Sequence, residues 1–146
     1  MPASKGTIRY IPAELPKTSG QELSDTLVVR LNEKFPNAVK ANVPFGNSFA
    51  DLVIEGPNRV IVAELKTGDP GFPLPSSTYP QMGLFIEQAQ SRYPGREIVP
   101  LVLTNYGISE SDKKVFGEEG VQILDVASRS IDAIVDIVVQ QVGKPQ

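Results

Sequence analysis

Phe49-Ala50-Asp51-Leu52-Val53-Ile54-Glu55-Gly56-Pro57-Asn58-Arg59-Val60-Ile61-Val62-Ala63-Glu64-Leu65-Lys66-Thr67-Gly68 is the stretch from which the rest of the chain can be read. Residues 50–55 and 59–66 are rich in Val, Ile and Leu, and Glu55-Gly56-Pro57-Asn58 between them carries turn residues, so the stretch predicts a β-hairpin. Two registers fit. A loop of Gly56-Pro57 sets Asp51 opposite Val62; a loop two residues longer sets Asp51 opposite Glu64. Side chains alternate with period two, so both registers put Asp51 on the face that carries Glu64 and Lys66. Only a one-residue bulge would separate them.

Two carboxylates and a lysine on one face suit phosphodiester chemistry. Magnesium prefers hard oxygen ligands, and one or two carboxylates plus water and substrate phosphate commonly hold it. Asp51 and Glu64 offer those oxygens, and the Leu65 carbonyl is a further candidate. A bound cation acidifies water and so supplies a nucleophile. Lys66 would orient that water or offset charge growing on the phosphate. The plainer alternative is a Glu/Lys pair on a solvated strand face. Against it, Val60-Ile61-Val62-Ala63 and Leu65 read as buried, and charges ending a buried run need a compensating role.

Asp51, followed a dozen residues later by Glu64-Leu65-Lys66, resembles the motif of the PD-(D/E)xK nuclease superfamily. Ala50 stands where that motif often has Pro. Glu64-Leu65-Lys66-Thr67-Gly68 followed by Gln81-Met82-Gly83-Leu84-Phe85 is similar, more loosely, to the RecB-type branch, with Phe85 in place of Tyr. The resemblance covers roughly residues 21–125. It implies a restriction-endonuclease-like fold, magnesium or manganese as cofactor and DNA as substrate. It also implies Asp51 and Glu64 as metal ligands, Lys66 as the group that assists the attacking water, and Gln81 as a positioning residue on the next helix. Many relatives add a Glu from the first helix, and Glu22 is the residue at that position. Glu22 also sits three residues after Ser19, the spacing of a capping box, which accounts for it without a metal.

Composition bounds the alternatives. At 146 residues, 40% hydrophobic and 21% charged, the chain has the make-up of one ordinary globular domain. It contains no Cys and no His, which excludes disulfides, thiolate sites, His zinc sites and His-based triads. No run approaches the roughly 18 apolar residues of a membrane span, and Met1–Lys5 opens no apolar leader, so a cytoplasmic setting is expected. The formal charge of −3 is low for a nucleic-acid binder. A basic patch would have to be assembled from Lys5, Arg9, Lys17, Arg92 and Arg96, or be supplied by a homodimer or a partner subunit.

Outward from the hairpin, residues 1–20 read as an extended arm, with a short strand over 7–11, and 21–146 as the domain. A first helix is expected from about Gly20 to Phe35 with Leu23, Leu27 and Leu31 buried. A strand over 39–43 leads into a Pro44–Ser48 loop beside the site. The Gly- and Pro-rich segment 67–77 is a long loop that either gates the site or merely connects; Asp69 in it is a further ligand candidate or a turn residue. A second helix starts near Thr78, with Met82, Phe85, Ile86, Ala89 and Tyr93 as its apolar stripe. A strand over 98–104 places Pro100 at its start or at an edge. A helix near 109–116, a strand over 121–126 and a helix over 130–142 complete the chain, with Ile137 and Val139 as a candidate dimer surface. The expected architecture is α/β, a central mixed sheet flanked by helices. The expected activity is metal-dependent cleavage of DNA. Two other classes fit less of the pattern: an inactive nuclease-fold module for nucleic-acid binding or assembly, and a small-molecule or structural protein in which Asp51 and Lys66 pair.

Overall fold

A computed structural model describes residues 19–69 and 71–143. Along them run α1 (Ser19–Lys34), β1 (Val39–Phe45), β2 (Ser48–Glu55), β3 (Arg59–Lys66), α2 (Thr78–Arg92), β4 (Glu97–Thr104), α3 (Glu110–Glu118), β5 (Gln122–Asp125) and α4 (Ile131–Gly143). The expected strand over 7–11 and most of the expected arm lie outside the described residues. The strands form one sheet in the order β1-β2-β3-β4-β5. The first three are antiparallel and need only tight turns; β3, β4 and β5 are parallel and need α2 and α3 as crossovers. The sheet is therefore mixed, with helices on both faces.

The two faces bury separate cores. On one, Phe45, Val53, Val62 and Val102 pack with Met82, Phe85 and Ala89 of α2 and Phe116 of α3. On the other, Leu52, Ile54, Ile61, Leu101 and Leu103 pack with Leu27 and Leu31 of α1 and Ile134, Val135 and Val138 of α4. Because β3 is covered on both sides, its residues from Arg59 to Glu64 are all buried, which explains its unbroken apolar run. The apolar stripes of the helices follow from their spacing, as at Leu27 and Leu31 or Met82, Phe85 and Ala89. An Arg30–Asp132 ion pair joins α1 to α4. Ser109 and Asp112 form a reciprocal capping box at the start of α3.

Several expectations are corrected. Pro44 and Phe45 belong to β1, and the connection to β2 is only Gly46-Asn47, with Gly46 at φ 65°. Glycine at the first position of a two-residue turn relieves the Cβ clash of a positive φ. Phe45 is thereby a core residue, 5.8 Å from Phe85 ring to ring. Pro100 is interior to β4, opposite Val62, in a strand flanked by β3 and β5. It is tolerated because the β5 ladder begins only at Leu101↔Gln122, so that flank is unpaired at its level. Ile137 and Val139 pack at the margin of the α1–α4 core. Arg92 and Arg96 are both exposed, and each also makes a local contact. The first donates to the Pro44 carbonyl at 2.8 Å and lies 4.2 Å over the Phe45 ring, and the second donates to the Gly56 carbonyl at 3.3 Å. Arg92 braces the end of α2 against β1, and Arg96, beyond the helix, ties the α2–β4 connection to the β2–β3 turn. The other three residues of the suggested patch, Lys5, Arg9 and Lys17, lie outside the described residues. Among the described residues no helix is long and apolar enough to cross a membrane.

Candidate active site

The β2–β3 pairing runs Glu55↔Val60, Ile54↔Ile61, Val53↔Val62 and Leu52↔Ala63. This is the longer-loop register, and its next step brings Asp51 opposite Glu64. The two residues meet directly. The Asp51 N–H donates to Glu64 Oε1 at 3.3 Å, and Asp51 Oδ2 accepts the Leu65 N–H at 2.8 Å. Lys66 Nζ lies 3.4 Å from Glu64 Oε2. The trio sits at the C-terminal end of β3, on the face that packs against α2, since Val60 and Val62 of the same parity line that core.

Asp51 also marks a break in the sheet. The β1–β2 ladder pairs Ala41↔Leu52 and Val43↔Ala50, with no pair between them, and Asn42 is left-handed at φ 52°. The register is the same on both sides, so no residue is inserted; the strands turn over. Ala50 lies in the α2 core while Leu52, two residues later, lies in the α1–α4 core. Freed from the ladder, the Asp51 backbone and carboxylate engage Glu64 and Leu65 instead. Asparagine is among the few residues that adopt a left-handed conformation at low cost.

Glu64 is 4% exposed, and Asp51 and Lys66 are half-buried. Burial of Glu64, then the adjacent Asp51 charge and hydrogen bond, push its carboxyl from an ordinary 4.5 up to about 8; Lys66 offsets this only in part. Once Glu64 ionises, two carboxylates stand beside a single ammonium and the cluster carries excess negative charge. A divalent cation would offset that excess, and an oxygen-only donor set suits magnesium or manganese.

The other candidates are placed as follows. Gln81 lies in the first turn of α2, half-buried, on the sheet face that carries Glu64 and Lys66. Glu22 is exposed on α1, which packs against the opposite face. Among the described residues no group of three acidic side chains stands close enough to share a metal, so Glu22 is not gathered with Asp51 and Glu64. Its capping partner, the Ser19 side chain, lies outside the described atoms. Asp69 Oδ1 accepts the Gly71 N–H at 2.9 Å, which makes it a turn residue.

The loop after β3 is anchored. Gly107 donates to the Phe72 carbonyl at 3.0 Å and accepts the Leu74 N–H at 3.1 Å, and Leu74 is buried. Two further residues fix the chain just beyond Lys66. The Asn105 carboxamide accepts the Gly68 N–H at 2.9 Å and donates to the Gly68 carbonyl at 2.8 Å. The Tyr106 hydroxyl lies so close to Gly68 that a Cβ there would be 2.1 Å from it. The sequence signal for these two was Asn-Tyr-Gly directly after a strand read as parallel, at the end where α/β sheets present their binding loops.

Comparison with known proteins places the fold. No protein-family model matches the chain, and no curated protein matches it. Solved structures do. A repair endonuclease from Pyrococcus abyssi matches at a TM-score of 0.53 and 17% identity over 77% of this chain and 49% of that one. A complex of EndoMS with double-stranded DNA matches at 0.55 and 16% over 83% and 51%. A protein of unknown function, AF1548, matches at 0.58 and 18% over 85% and 72%. The fold is restriction-endonuclease-like. The chain spans about half the length of the first two structures.

Two outcomes follow from the site geometry. Between pH 4.5 and 8 folded Glu64 holds a proton that the unfolded chain has lost, so the metal-free protein loses stability as pH rises through this window. Glu64→Gln removes that dependence. In chelator the variant should match the parent near pH 5 and exceed it near pH 9 by on the order of 2 kcal/mol, after screening, read by denaturant titration. Gly68→Ala forces the Tyr106 ring aside and should cost about 1–3 kcal/mol. Tyr106→Ala should recover most of that loss in a double-mutant cycle.

Proposed function

We propose that this chain is a metal-dependent nuclease that hydrolyses DNA phosphodiester bonds. The observation that carries the reading is the meeting of Asp51, Glu64 and Lys66 at the end of β3, in a fold shared with repair endonucleases. Asp51 and Glu64 would hold magnesium or manganese, which when bound acidifies water and offsets charge on the scissile phosphate. The remaining work falls to the chain itself. The Leu65 N–H fixes the Asp51 carboxylate at 2.8 Å, so one ligand is oriented before any ion arrives. Burial keeps Glu64 poised to exchange a proton for a cation near neutral pH. Lys66, held at 3.4 Å from Glu64, presents an ammonium that orients the attacking water or stabilises charge on the phosphate. Gln81 is a positioning residue at the start of α2.

DNA is the proposed substrate because EndoMS, one of the similar structures, is in complex with double-stranded DNA. A second reading keeps the fold and drops the chemistry: an inactive nuclease-fold module that binds nucleic acid or serves as an assembly subunit. It is favoured by the net charge of −3 and by the lack of a third acidic ligand among the described residues.

A cleavage assay on single-stranded, duplex and branched DNA, with magnesium and with manganese, separates the two. Asp51→Asn, Glu64→Gln and Lys66→Ala should each lower the rate by at least about 100-fold while the melting transition stays cooperative. Chelator should abolish activity. Full activity in any of the three variants rejects the assignment, and an inert parent protein that still binds DNA supports the second reading.

A further inference from the structure

A cavity of about 620 Å³ opens beyond the C-terminal ends of β4 and β5. Its walls include Tyr106, Ile108 and Ile123, with Asn105, Lys113 and Asp125 supplying polar groups. None of these belongs to the Asp51–Glu64–Lys66 cluster, yet the two sites adjoin. Thr104 pairs with Lys66 in the β3–β4 ladder, and the next two residues, Asn105 and Tyr106, are cavity wall. They are also the residues that clasp Gly68. From Lys66 to Gly68 the chain covers about 7 Å, comparable to the step between neighbouring phosphates of an extended single strand. A strand with a phosphate at Lys66 thus brings a neighbouring nucleotide to the cavity mouth.

We propose that this cavity is a subsite for one unpaired nucleobase of the strand being cut, selective for bases that carry an exocyclic amine. The inference rests on the nuclease reading and names the substrate class: DNA with an unpaired nucleotide beside the scissile phosphate. The volume is in the range of small-ligand sites and holds a base with its sugar. Tyr106 and the apolar walls suit the faces of a planar ring. Asp125 uses Oδ1 to accept the Ala127 N–H at 2.8 Å. Its second oxygen, without a partner among the described residues, accepts from the exocyclic amine of cytosine, adenine or guanine; thymine offers only its ring N3–H, flanked by two carbonyl oxygens that a carboxylate repels. The same carboxylate repels a phosphate, and the cation on the wall, Lys113, is already paired with Glu110 at 3.1 Å, so the cavity favours the base over the backbone. Phe72 stands 61% exposed next to this mouth, on backbone tied to Gly107, itself a cavity residue. An aromatic ring presented from a fixed loop is a stacking platform for a flanking base. A base paired within a duplex reaches such a cavity only by leaving the stack, at a cost that single strands and locally melted DNA do not bear.

The test measures binding without cleavage. The full chain, in chelator, is titrated against fluorescent 12-mers of dC, of dT and of abasic sugar-phosphate, and against a blunt duplex. The dC strand should bind about 10-fold tighter than the abasic strand and tighter than the duplex. It should also exceed dT by about 5-fold. Asp125→Asn keeps an acceptor for Ala127 and adds a donor, so it should reverse the dC-over-dT preference. Phe72→Ala should weaken base-bearing strands and leave the abasic one unchanged. Equal binding of dC and abasic strands overturns the proposal, as does no binding of any strand. An unchanged dC-to-dT ratio in an Asp125→Asn protein of parental melting temperature also overturns it. Base-dependent binding in a chain that fails to cleave with either metal keeps the subsite and removes the nuclease reading. Cleavage that is indifferent to the bases does the reverse.

Discussion

Two carboxylates held against each other at the mouth of an apolar sheet are the constraint around which this structure is arranged. Asp51 and Glu64 come from neighbouring strands, and the contact between them replaces ladder hydrogen bonds that an uninterrupted sheet would make there. Glu64 is almost wholly buried beside the Asp51 carboxylate, with the Lys66 ammonium and the Asp51 N–H as partial compensation. Such a cluster is costly unless protonated or paired with a cation. The surrounding architecture holds it in place all the same. The break opposite Asn42 frees Asp51, the Leu65 N–H pins its carboxylate, and the clasp of Asn105 on Gly68 closes the chain behind Lys66. Geometry that is disfavoured in isolation and supported from several sides is typical of sites organised for chemistry.

The hairpin was readable because period-two alternation and one turn signal are strong local constraints. They placed Asp51, Glu64 and Lys66 on one face whichever loop length applied, and the longer loop is the one the structure adopts. The helical stripes were equally readable, since Leu27, Leu31, Met82, Phe85 and Ala89 have spacings that only a buried helical face explains. What local pattern does not encode is where tertiary packing overrides it. Phe45 reads as loop because Pro44 precedes it and Gly46 follows, but the core under α2 draws it into β1. Pro100 reads as a strand terminus, but β5 is too short to need its missing donor. Glu22 reads either as a helix cap or, by resemblance, as a ligand, and sequence alone does not say that α1 packs on the far face of the sheet. The Asn42–Asp51 break carries no strong local signal, because a left-handed asparagine in a strand is visible only once its neighbours are placed.

The loops beyond the parallel strands give the site its surroundings. The long Gly- and Pro-rich segment after Lys66 is tied to Gly107 on both sides of Pro73. Asn105 and Tyr106 then serve two spaces at once, as a brace for Gly68 and as a wall of the adjoining cavity. The half of the fold built from β3, β4 and β5 therefore carries both the acidic cluster and its neighbouring hollow. The β1–β2 hairpin supplies Asp51 and closes the sheet edge. On the nuclease reading proposed above, a net charge of −3 is compatible with this division, because a cation at the cluster would reverse the local sign where a phosphate would approach.

The central claim, that Asp51 and Glu64 jointly seat one divalent cation, is tested most directly by calorimetric titration of manganese in buffers of different ionisation enthalpy. One ion should bind per chain, with close to one proton released per ion near pH 7 and the release fading as pH rises past 8, because Glu64 must give up its proton to bind. No manganese uptake, or a proton release that is the same on both sides of pH 8, would contradict it.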